Sequence, residues 1–63
     1  MKVVLTIHRP RQPALGWVIA EGSEEEMLSA IQEMNPSDSH WVGINSERIY
    51  VQTADVVTLS LMK

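Results

Sequence analysis

Ser23-Glu24-Glu25-Glu26 is the feature that most narrows what this chain can fold into. The S-x-x-E pattern is a capping box. The serine hydroxyl accepts from a first-turn backbone N–H, and the glutamate three residues on reaches back to the cap. Gly22 ahead of it leaves the chain free to turn into the cap. Met27, Leu28, Ile31 and Met34 then fall at i, i+1, i+4 and i+7, one apolar stripe, with Glu24, Glu25, Ser29, Gln32 and Glu33 on the wet side. Asn35-Pro36 ends the segment, because a residue before proline is pushed out of helical geometry. The spacing predicts one helix over 24–34.

Everything around that helix alternates with period two. Lys2 to His8 sets Val3, Leu5 and Ile7 against Val4, Thr6 and His8, the pattern of a strand. Leu15 to Ala20 is a second strand, with Leu15, Trp17 and Ile19 on one face. Arg9-Pro10-Arg11-Gln12-Pro13 between them is a loop, since its two prolines cannot donate to a ladder. After the turn formers Pro36-Ser37-Asp38-Ser39, three more strands are expected over His40–Ile44, Arg48–Gln52 and Val56–Met62. Turns fall at 45–47 and 53–55. The order is ββαβββ: one α+β domain over 1–63, a single helix packed on a four- to five-stranded, mostly antiparallel sheet. No internal repeat, low-complexity tract or linker interrupts it.

Size limits what this fold can hold. A chain of 63 residues buries only about 60% of the surface its unfolded form exposes. Below roughly 70–80 residues, stability usually draws on disulfides, a metal, unusually good packing or self-association. There is no cysteine, so disulfides and thiolate metal sites are excluded, and a secreted disulfide scaffold is disfavoured. Net charge is a modest −3, which makes no whole-molecule case for nucleic acid or membrane. The apolar run at the N-terminus is too short for a signal-peptide core or a span. These readings point to a soluble cytoplasmic protein.

Which residues face outward turns on one loop. An even loop between the third and fourth strands sets Ile44 against Ile49 and Val42 against Val51, gathering four aliphatics on the helix side. Trp41, Gly43 and Tyr50 then look away, with Tyr50 covering Gly43 across the strands. A three-residue loop returns Trp41 to the core. The even register is the expectation. One helix 10–12 Å across covers only half of a five-stranded face about 20 Å wide. The uncovered face, with Val4, Thr6, Val18, Ala20, Trp41, Tyr50 and Thr58, is too apolar for water. Either the sheet curls into a partial barrel or that face meets another protein, a second copy first of all.

The candidate chemistry is thin. Arg9 and Arg11 beside His8 form the only basic cluster; with Arg48 and the outward aromatics they make a possible nucleic-acid contact. Two loop arginines supply only about two phosphate contacts, too few for firm binding. Glu21, Glu24, Glu25 and Glu26 read as offsetting the helix dipole, because consecutive helical glutamates splay by about 100° and cannot converge on an ion. His8, Asp38 and His40 lack the spacing of a metal motif. No serine sits in a nucleophile elbow, and three scattered glycines make no phosphate loop.

The expectation is therefore a non-enzymatic interaction module without cofactor or metal, a small regulatory or accessory protein. It is expected to be a homodimer or ring that also binds a protein partner through its sheet face or edge. Trp41, Tyr50, Val4 and Val18 are the candidate interface. The alternative is a nucleic-acid binder using Arg9, Arg11 and Arg48.

Overall fold

Val3, Leu5 and Ile7 are fully buried, and the strand that carries them, β1 (Lys2–His8), is the middle of the molecule. The computed structural model describes residues 1–63. Along the chain follow β2 (Leu15–Glu21), α1 (Glu24–Glu33), β3 (His40–Val42), β4 (Arg48–Tyr50) and β5 (Val56–Met62). One helix and five strands in antiparallel sheets make an α+β fold in the expected order ββαβββ, with no closed barrel. The strands divide between two sheets, β2-β1-β5 and the hairpin β3-β4. Both hairpin strands are only three residues long, and the hairpin reaches β2 through one backbone bond, Ile44 N–H to the Val18 carbonyl at 2.9 Å.

Register explains the core. Across β1 and β5, Val3 pairs with Leu61, Leu5 with Leu59 and Ile7 with Val57, so six aliphatics share one face. Burying such a side chain contributes about 1.5–3 kcal/mol. Trp17 and Ile19 of β2 pack against the same cluster. The β1–β2 register slips between Val3 and Val4, where Val4 pairs with Val18 but Val3 pairs with Ala20. A bulge leaves Ile19 unpaired and moves Ala20 to the core-side register. Ala20 was expected on the outer face; one extra residue changes its side.

The cap of α1 forms with one difference of detail. Glu26 N–H donates to Ser23 Oγ at 3.2 Å, and the Ser23 hydroxyl donates to Glu26 Oε1 at 2.9 Å. The glutamate therefore accepts from the serine side chain, not from its backbone. Gly22 has no positive φ. What it supplies is room: a Cβ there would lie 3.1 Å from Met27 Cε. Met27 is the helix's buried residue, Ile31 and Met34 are half-buried, and Leu28 is exposed. The buried stripe is narrower than expected, because the helix leans on β1 and β5 along one line. Met34, the C-cap, is extended, so the helix stops one residue early.

The hairpin overturns the even register. Trp41 pairs with Ile49, Val42 with Arg48 and His40 with Tyr50. Gly43 N–H donates to the Glu47 carbonyl at 2.7 Å and Ser46 N–H to the Gly43 carbonyl at 2.9 Å. The loop is thus Ile44-Asn45-Ser46, with Ser46 left-handed at φ 65°. This is the three-residue hairpin loop whose last position prefers positive φ. Ile44 does not oppose Ile49, Val42 does not oppose Val51, and Tyr50 does not cover Gly43. Burying Trp41 with Ile49 removes more apolar surface than burying Val42 with Ile44, which decides the face.

Candidate interaction surface

The four residues expected to form one patch lie in three places. Trp41 is half-buried against Leu5, Ile7 and Ile49, and its indole N–H donates to the Asp38 carbonyl at 3.0 Å. It belongs to the core and is no outward anchor. Tyr50 is 60% exposed on the hairpin's far side, where its ring stacks on His40 with centroids 5.0 Å apart. Val4 and Val18 oppose each other on the outer face of the three-stranded sheet. Both are half-buried, while Val56, Thr58, Ser60 and Met62, on the same face of β5, are exposed.

Arg9 is committed internally. Its Nε lies 3.2 Å from both carboxylate oxygens of Asp55, and an outer nitrogen donates to the Tyr50 carbonyl at 3.3 Å. Asp55 is almost fully enclosed, its side chain 1% exposed, and it also accepts from Gln52 N–H at 2.8 Å. This knot ties the end of β1 to the corner before β5. Its arginine is not offered to a phosphate. Arg11 and Arg48 are exposed, Arg11 in a left-handed turn at φ 63°. Arg48 shares a hairpin face with His40 and Tyr50 by strand parity. Neither Arg11 nor Arg48 takes part in an ion pair.

His8, Asp38 and His40 are not gathered, and no group of three His, Cys, Asp or Glu stands close enough to hold a metal ion. The two concave regions are shallow. One, about 390 Å³, is lined mainly by Ser37, Ser39, Gln52 and Thr53; the other, about 250 Å³, lies between the hairpin loop and β2. No helix is long and apolar enough to cross a membrane.

The border strand β5 is the feature that residue-by-residue reading missed. It lies at one side of the sheet with only β1 beside it. Its backbone makes no hydrogen bond beyond the β1 ladder, so every second residue directs N–H and C=O outward without a partner. Val56-Val57-Thr58-Leu59-Ser60-Leu61-Met62 carries no charge and no proline, the devices by which edge strands deter pairing. Val56 and Met62, at its two ends, are 61% and 54% exposed. The signal was present in that missing protection, but a strand's position in a sheet is a tertiary property.

The molecule is also expanded for its mass. It exposes 4527 Å², where a compact monomer of 7.1 kDa exposes about 4,100 Å². Its radius of gyration is 11.5 Å against about 10.6 Å for this length. Comparison with protein-family models, curated proteins and solved structures finds no match for this chain.

Proposed function

We propose that this protein is a non-enzymatic interaction module that associates with protein surfaces through its three-stranded sheet. The carrying observation is the bare, uncharged edge of β5 beside an uncovered outer face. Strand addition draws affinity from main-chain hydrogen bonds and selectivity from alternate side chains. An edge of this kind is ready for it. The surplus exposed surface supports the same reading. The working state is a homo-oligomer in the cytoplasm, acting as a small regulatory or accessory protein.

The test compares wild type with a Thr58→Lys/Ser60→Lys variant as bait for proteins of the source cell. Both positions are exposed, so the fold is expected to survive. Partners kept by wild type and lost by the variant support the reading. Equal recovery by both sinks it. The alternative, a nucleic-acid binder using Arg11 and Arg48, is tested by a mobility shift with single-stranded RNA or DNA. An affinity falling steeply with salt would favour it.

A further inference from the structure

We infer that the occupant of the β5 edge is a second copy of the same strand, paired antiparallel about a two-fold axis through Leu59. This rests on the reading of the sheet as an interaction surface and names its partner.

The reasoning begins with symmetry. Two identical edges pairing antiparallel within one continuous sheet are related by an axis perpendicular to that sheet, which leaves each residue on its own face. Opposed residues then have numbers of equal parity, because opposed side chains share a face. Only a few registers satisfy this. Centring on Leu59 overlaps all seven residues of β5, since Leu59 is the midpoint of Val56–Met62.

In that register like meets like. On the outer face Val56 opposes the partner's Met62, and Thr58 opposes the partner's Ser60. On the core side Val57 opposes the partner's Leu61, and Leu59 opposes the partner's Leu59. Apolar pairs and hydroxyl pairs are the combinations that stabilise antiparallel ladders. Centring on Thr58 sets Val56 against Ser60 and brings Asp55 against Leu61. Centring on Ser60 sets Thr58 against Met62 and Val57 against Lys63. Each shift mismatches polar with apolar side chains and shortens the ladder. The sequence of β5 is therefore complementary to its own reverse in one register.

The magnitudes fit a reversible dimer. Seven opposed pairs add about six to eight backbone hydrogen bonds. Each copy exposes roughly 400 Å² more than a compact monomer of its mass. A contact made by one strand from each copy is small, in the range below about 1,200 Å² where weak and transient complexes lie. The product is a six-stranded sheet, β2-β1-β5 followed by its symmetry mate, with exposed Val56 and Met62 brought together at both ends of the junction.

The test uses the absence of cysteine. Thr58→Cys and Ser60→Cys variants are made separately, mixed and oxidised with wild-type sedimentation measured alongside. In the Leu59-centred register the mixed pair is directly opposed, with Cβ atoms about 4.5–5.5 Å apart, whereas each variant meets its own copy only diagonally at about 7–8 Å. A disulfide needs about 3.5–4.5 Å, so the mixed disulfide is expected well above the ratio of random pairing, and wild type is expected to be dimeric at micromolar concentration. Association abolished by Thr58→Lys/Ser60→Lys but kept by Val18→Lys, which lies two strands away, also supports edge pairing. Association lost in both variants assigns the contact to the outer face and overturns the inference. A wild type monomeric throughout overturns it too. Partners recovered in the bait experiment would in that case still uphold the interaction module, with another protein on the edge.

Discussion

Arg9 and Asp55, 46 residues apart, hold each other through Nε and both carboxylate oxygens at 3.2 Å. The pair joins the end of β1 to the start of β5, and Asp55 also closes the Gln52–Asp55 turn by accepting from Gln52 N–H. Asp55→Ala leaves that N–H and the guanidinium without their acceptor and is expected to cost about 2–3 kcal/mol. Asp55→Asn keeps an oxygen for Gln52 and is expected to cost less. In a double-mutant cycle with Arg9→Ala, a coupling of about 1 kcal/mol or more is expected from denaturant melts. Additive losses would mean the contact carries no stability.

Ser46 occupies a left-handed position at φ 65°, where a side chain costs about 1 kcal/mol relative to glycine. Ser46→Gly is expected to raise stability by about 0.5–1 kcal/mol, and Ser46→Val to lower it. Thermal melts at equal protein concentration decide this. A destabilising glycine would show that the loop is held by something other than its backbone geometry.

On the helix, rank order is the prediction. Met27→Ala empties a buried position between α1 and the sheet and is expected to cost about 2–4 kcal/mol. Ser23→Ala removes the cap acceptor and is expected to cost about 1 kcal/mol. Leu28→Ala, at an exposed site, is expected to stay within about 0.5 kcal/mol. Urea midpoints that place Leu28 above Met27 would invert the assigned face.

Trp41→Ala is expected to cost about 2–3 kcal/mol, below the full-burial range because the ring is only partly enclosed. It is expected to leave the association state of the folded fraction unchanged. Light scattering together with near-ultraviolet circular dichroism separates the two effects. A stable monomer from this substitution would place Trp41 between subunits after all.

The helix and the long strands were legible because their signals are local: a capping serine, period-two runs, prolines at the borders. Three features were not. The Ile19 bulge that turns Ala20 inward has no signature of its own, since Val18-Ile19-Ala20 reads as an unbroken strand. The hairpin loop uses Ser46 where glycine or asparagine would have announced positive φ, so the pairing was misread by three residues, Ile49 opposing Trp41 in place of Ile44, and the facing of Trp41 with it. Arg9 looked like surface charge because its partner Asp55 is distant in sequence. Each miss concerns a choice between near-equal local conformations, settled by what the rest of the chain buries.

The bond from Ile44 N–H to the Val18 carbonyl also bears on stoichiometry. It occupies one group on the outer border of the seven-residue strand β2, and the hairpin loop stands over that point. With the β5 edge consumed by the proposed symmetric pairing, any further growth has to run along the rest of the β2 border, past the loop. Discrete dimers are therefore expected to outnumber longer assemblies at high concentration, and loosening the loop from β2 is expected to raise the share of longer ones.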